Sequence, residues 1–202
     1  MKPSLFRELT LYRYRYAVGY GLFIVFLLGM LLTDIGSVPS GISDSEMRSA
    51  VASNALNPFI PHASDVISLP YHLLQKLSIS LLGLSPFSIR LPSLVLALAA
   101  SVVLAAMLAL WFRRGVAILA LLLATTSVPF ISFGRTGTAA VLYMLLLMIV
   151  LLGAVKLTTK SPYSLWWKFV VTTAGLLLIY MPLGVYAVIA FIIAGLFHPH
   201  VR

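Results

Sequence analysis

Asp44 and Glu46 stand two positions apart in "SGISDSEMRSA" (Ser40 to Ala50), and they are two of only five carboxylates in 202 residues. A carboxylate can take the proton of an attacking hydroxyl, while arginines or a divalent cation neutralise the oxyanion that leaves. Arg48 lies in the same stretch, and Arg90 and Arg135 are further cations on the same side of the membrane in the topology derived below. Oxygen ligands suit Mg2+ or Mn2+, which often take one or two carboxylates and complete their shell with substrate phosphate and water. Asp44 is the ligand such an ion would use. The stretch also has a structural use, because "SDSE" (Ser43 to Glu46) is a capping-box pattern: Ser43 caps a helix start and the Glu46 side chain returns to the cap's backbone amide. Glu46 thus has a structural role at hand, which leaves Asp44 as the better candidate for acid–base work.

What must position these groups is set by composition. Hydrophobic residues make up 61% of the chain and charged residues 9%, with a mean hydropathy of +1.05, far outside the soluble globular range. The chain is an integral membrane protein. Its formal charge of +9 does not point to nucleic acid, because the basic residues border apolar runs and form no aromatic-interleaved basic surface. Without cysteine there is neither a disulfide framework nor a thiolate metal site. His62, Asp65 and His72 share one segment, but their spacing fits no zinc pattern, and His198 and His200 in "HPH" read as a polar border. No phosphate-cradling glycine loop, nucleophile elbow or zinc-protease helix is present.

A bilayer core about 30 Å thick needs about 20 apolar residues as helix. Four runs pass that test: Tyr16 to Thr33, Leu91 to Phe112, Gly115 to Phe133 and Thr138 to Leu157. The first is longer than a usual signal-peptide core and lacks a strong cleavage site, so it reads as a retained helix. The stretch Leu165 to Phe197 would extend roughly 50 Å as one helix. "YMPLG" (Tyr180 to Gly184) interrupts it, predicting two short helices joined by a tight external turn. The expected fold is therefore an all-α polytopic membrane protein of five or six transmembrane helices with one long outer loop. With the N-terminus inside, ten basic residues fall in inner segments and four in outer ones, so the positive-inside rule makes residues 1–15 cytoplasmic and residues 34–90 the outer loop. Residues 91–202 form the helical bundle.

Two helices are predicted within the outer loop. One runs from the capping box to about Leu56. The other begins near Leu69, with Pro70 in its first turn and Gly83 as its stop. Leu73, Leu74, Leu77 and Leu81 recur at helical spacing against Gln75, Lys76, Ser78 and Ser80, which describes an amphipathic helix lying in the outer interface or packed on its own bundle.

"LPYHLLQKLSISLLGLSPFSIRLPSLVLALAASVVLAAML" (Leu69 to Leu108) resembles a segment of polytopic GT-C glycosyltransferases of the family 39 and aminoarabinose-transferase-like groups. There an amphipathic helix and a G-x-S turn precede "RLPS" at the opening of a transmembrane helix. "ISFGRTGTAAVLYMLLL" (Ile131 to Leu147) is similar to their short outer loop, in which an arginine-containing turn opens the next helix. The resemblance implies a single GT-C-like module across residues 1–202. It also implies a transferase that takes a sugar from a polyprenyl-phosphate donor at the outer face of the plasma membrane, with membrane lipids as its surroundings. It places a first-loop carboxylate at the active site. Aligning on "EMRSA" puts Glu46 on the family glutamate and Ser45 on its aspartate, whereas aligning from Pro39 and Gly41 makes Asp44 the aspartate. By the same analogy Asp44 and Glu46 are the catalytic candidates and Asp44 the metal ligand, while Arg48, Arg90 and Arg135, by charge and side of the membrane alone, are the donor-phosphate-binding candidates. Family members usually continue through more helices, so the chain reads as part of a longer enzyme. The alternatives are a noncatalytic polyprenyl-lipid-binding or assembly subunit, or a small transporter or flippase component. The last is disfavoured by the absence of a charge deep in any span and of repeat symmetry.

Overall fold

The computed structural model describes residues 15–33, 35, 42–56, 67–158 and 164–197. Among them are nine helices and no strand: α1 (Arg15–Leu32), α2 (Asp44–Ala55), α3 (Leu69–Leu82), α4 (Pro86–Trp111), α5 (Arg114–Thr125), α6 (Val128–Arg135), α7 (Ala140–Thr158), α8 (Ser164–Ile179) and α9 (Gly184–Phe197). This is the expected all-α membrane architecture. The N-terminal residues 1–14, Asp34, His62, Asp65, His198 and His200 lie outside the described residues.

By length and hydropathy, α4 (26 residues) and α7 (19 residues) can each cross a membrane. The apolar run expected as one span from Gly115 to Phe133 is instead two helices, α5 and α6, bent by 61°. Pro129 sits in the first turn of α6, where its missing N–H has no helical partner to lose, so the chain breaks just before it at Thr126 and Ser127. The two short helices α8 and α9 form as predicted from "YMPLG". Gly184 N–H donates to Met181 O at 3.0 Å, with Pro182 and Leu183 at the two central positions of the turn.

α7 stands between two apolar clusters. Val141 and Leu145 belong to one cluster with Phe23, Leu27 and Leu31 of α1, Leu94 and Ala97 of α4, Leu121 of α5 and Phe130 of α6. Leu142, Leu146 and Val150 face Ala174 and Leu178 of α8, together with Met181 and Tyr71. A helix apolar on both faces is what a bundle centre requires.

α4 begins earlier than the expected Leu91. Ser85 caps it, and Ser88 closes a reciprocal capping box, so the G-x-S turn is the helix start and "RLPS" lies inside the helix. Pro92 then cannot donate to the carbonyl of Ser88. Ser78 of α3 supplies the missing donor, its hydroxyl reaching Ser88 O at 2.7 Å. This bond explains the interior proline and ties α3 to α4. Gly83 ends α3 with a φ of +76°, as a stop glycine should.

α3 packs in the opposite sense from a helix in water. Tyr71, Gln75 and Ser78 are buried, while Leu73, Leu74, Leu77, Leu81 and Leu82 are exposed. Gln75 and Ser78 therefore face protein, not solvent, and the leucine stripe is left for lipid.

A candidate active site around α2

The end of the bundle that carries α2 and α3 holds a buried polar layer. Ser43 caps α2 and the predicted box with Glu46 is closed, the Ser43 amide donating to Glu46 Oε2 at 3.0 Å. The rest of the Glu46 carboxylate turns inward. Arg90 Nε donates to Oε1 at 2.8 Å and Nη2 to Oε2 at 2.9 Å, a bidentate pair, while the Gly137 amide donates to Oε1 at 2.9 Å. Arg90 Nη1 reaches Ile35 O at 2.8 Å. Glu46 and Arg90 are 2% and 4% exposed, so this is an ion pair cut off from water and satisfied from all sides. Burial pushes the Glu46 carboxyl upward, but the Arg90 hydrogen bond and the two backbone amides outweigh it and hold the group below its ordinary 4.5.

Two positions along a helix turn a side chain by about 200°. Asp44 is therefore on the opposite face from Glu46 and is exposed. Its carboxylate has no hydrogen bond or ion pair among the described residues, and it occupies the first turn of α2, where the helix dipole favours negative charge. Arg48, one turn further on, is exposed on the same face. Arg135 ends α6 half-buried and donates to Thr33 O. Of the five candidates, the structure joins Glu46 to Arg90 and sets Asp44 with Arg48 on one exposed ridge. Arg135 stands two residues from the Gly137 amide that Glu46 binds. Among the described residues no three His, Asp or Glu side chains converge as a metal site.

A second set of polar residues completes the layer. Ser49 Oγ and Ser53 Oγ donate to Gln75 Oε1 at 2.8 and 2.7 Å, and Gln75 Nε2 donates to Ile89 O at 3.1 Å and Gly137 O at 3.4 Å. Ser53 has one proton to give. If Gln75 receives it, His72 Nδ1, 2.8 Å away, must carry a proton and donate to Ser53. Tyr71 OH pairs with Ser93 Oγ at 2.7 Å, and burial pushes the phenol's ionisation upward despite that hydrogen bond. None of Ser49, Ser53, Gln75 or Gly137 stood out in the sequence, although Ser49 and Ser53 at a four-residue spacing do mark a polar stripe on α2.

The profile of the family described as dolichyl-phosphate-mannose-protein mannosyltransferase matches residues 69–202, about two-thirds of the chain. The match takes in α3, Arg90 and Arg135 and starts after α2, so Asp44, Glu46 and Arg48 precede it. No curated protein and no solved structure matches the chain. A family profile across that share of an all-helical membrane chain settles its membership: the protein belongs to the dolichyl-phosphate-mannose-protein mannosyltransferase family, of the GT-C glycosyltransferase type.

Proposed function

We propose that this chain is a polyprenyl-phosphate-dependent sugar transferase, or the part of one that carries the base, with mannose as the sugar and the α2/α3 end at the outer membrane face. Family membership supports a membrane glycosyltransferase, and the basic-residue asymmetry supports the orientation. One observation carries the assignment of the base. Glu46 is neutralised by Arg90 and buried, whereas Asp44 is exposed and makes no hydrogen bond or ion pair among the described residues.

In this reading the Asp44 carboxylate accepts the proton of an acceptor hydroxyl as its oxygen bonds to the anomeric carbon. The bond from that carbon to the phosphate oxygen breaks, and the electron pair leaves with the polyprenyl phosphate. Arg48 and Arg135 supply positive charge to the phosphate. Arg90 spends its charge on Glu46 and acts by fixing α2 against α4 and the α6–α7 loop. The protein's donor set fits a divalent ion through Asp44 alone, which Mg2+ or Mn2+ accepts when phosphate and water fill the other positions. A bound ion would supply charge neutralisation at the phosphate.

The test is transfer from dolichyl-phosphate mannose in membranes holding the full-length protein. Asp44→Asn should lower kcat by about 10²- to 10⁴-fold, the usual contribution of a general base, with unchanged thermal stability. Undiminished transfer removes Asp44 from the chemistry. If no variant or parent transfers sugar while the protein still binds polyprenyl phosphate, the noncatalytic lipid-binding subunit is the correct reading.

A further inference from the structure

Gly137, in the middle of the α6–α7 loop, is gripped from both ends of its residue. Its amide donates to Glu46 and its carbonyl accepts from Gln75. There is no room for a side chain, because a Cβ at this position would stand 2.8 Å from Ile89 Cγ2 and 3.0 Å from Ile89 O. Gln75 is fully buried, with its oxygen facing the hydroxyls of Ser49 and Ser53 on α2, the second of which also lies 2.8 Å from Ser49 O, and its nitrogen giving two protons to the carbonyls of Ile89 and Gly137. Only a carboxamide can do both at this length. Glutamate keeps the two hydroxyl donors but turns an oxygen toward two carbonyl oxygens, and methionine fills the space without making any of these bonds.

We propose that Gln75 is a positioning residue: through Gly137 it fastens against α2 the loop that follows Arg135 and carries Thr136 and Thr138, and so fixes Arg135 relative to Asp44 and Arg48. The inference rests on the reading of Asp44 and Arg135 as reacting groups. It assigns no contact with substrate to Gln75. Its content is that the Glu46–Gly137 bond alone does not hold α2 and the loop as one body, and that the carboxamide bridge is needed beside it.

These 202 residues hold no cysteine, so within them two introduced cysteines report on this geometry without background. Spin labels at Met47→Cys on exposed α2 and Thr136→Cys on the loop, read by pulsed electron resonance in the purified full-length protein, should give one narrow distance distribution. Gln75→Glu should broaden it and lower kcat for transfer from dolichyl-phosphate mannose by roughly ten- to a hundredfold, with a smaller change in KM. A distribution as narrow as the parent's, or a broadened one with undiminished kcat, overturns the proposal. If the parent transfers no sugar, the proposed function fails, and the distance distribution alone then decides whether Gln75 holds the loop. Should Gln75→Glu not fold, Gly137→Ala carries the same test from the other side of the contact, with the same broadening expected.

Discussion

Replacing Glu46 by glutamine keeps the side chain's shape and exposes what the buried pair does. In the native arrangement Oε1 receives Arg90 Nε–H and the Gly137 amide, while Oε2 receives Arg90 Nη2–H and the Ser43 amide. A glutamine has one oxygen. Whichever way its amide is turned, an NH2 group faces one guanidinium N–H and one backbone N–H, so two donors lose their acceptor. Arg90 also loses its counter-charge while 4% exposed. Removing one partner of such a pair costs about 3–5 kcal/mol. At roughly 2–4 °C per kcal/mol for a chain of this size, Tm should fall by about 10 °C. The assay is thermal unfolding of the detergent-solubilised protein, followed by the fluorescence of its three tryptophans. The double variant Glu46→Leu/Arg90→Met should recover part of the loss, because an apolar pair of similar volume leaves no charge stranded, although the Ser43 and Gly137 amides still lack their acceptor. A Glu46→Gln protein melting within about 2 °C of the parent would refute the reasoning, since it would mean the two orphaned donors and the Arg90 charge are satisfied by water after all.

Two more outcomes follow from the same geometry. Because the Glu46 carboxyl titrates below its ordinary 4.5 in the folded state, its contribution is complete above that value and is lost as pH falls through the lower, folded one. Tm should therefore stay level from neutral pH to about 5 and drop below about 4, with a shallower drop in Glu46→Gln. Ser78→Ala should cost about 1–3 kcal/mol by leaving the Ser88 carbonyl without its donor. Adding Pro92→Ala restores a backbone N–H at that place, so the double variant should melt above the single one, and equal melting temperatures would show that the Ser78 bond does not compensate the proline.

The capping box was legible because its information is local: Ser43 and Glu46 are three residues apart and any helix starting there brings them together. The partner of Glu46 was not, since Arg90 is 44 residues away and nothing in either stretch specifies the other. Arg90 accordingly read as a free phosphate ligand. The burial of Gln75 was not legible for a different reason. An amphipathic pattern reads the same for a helix in the interface and one packed on its bundle, and with lipid on one side the polar stripe seeks the protein interior. The break between α5 and α6 was hidden by composition, because hydropathy summed along Gly115 to Phe133 passes the length test whether or not Pro129 bends the chain. Membrane class and family resemblance survived, since both rest on composition and contiguous motifs.

That bend makes α6 a lever. Its eight residues span about 12 Å, with the fulcrum at Thr126 and Ser127 and Arg135 at the far tip. A change of about 5° in the 61° angle moves the tip by roughly 1 Å, on the scale at which a displaced group costs a large factor in rate. The hydroxyls of Thr126 and Ser127 donate to Leu122 O and Ala124 O at 2.7 and 2.6 Å, which ties the root of that lever to the last turn of α5.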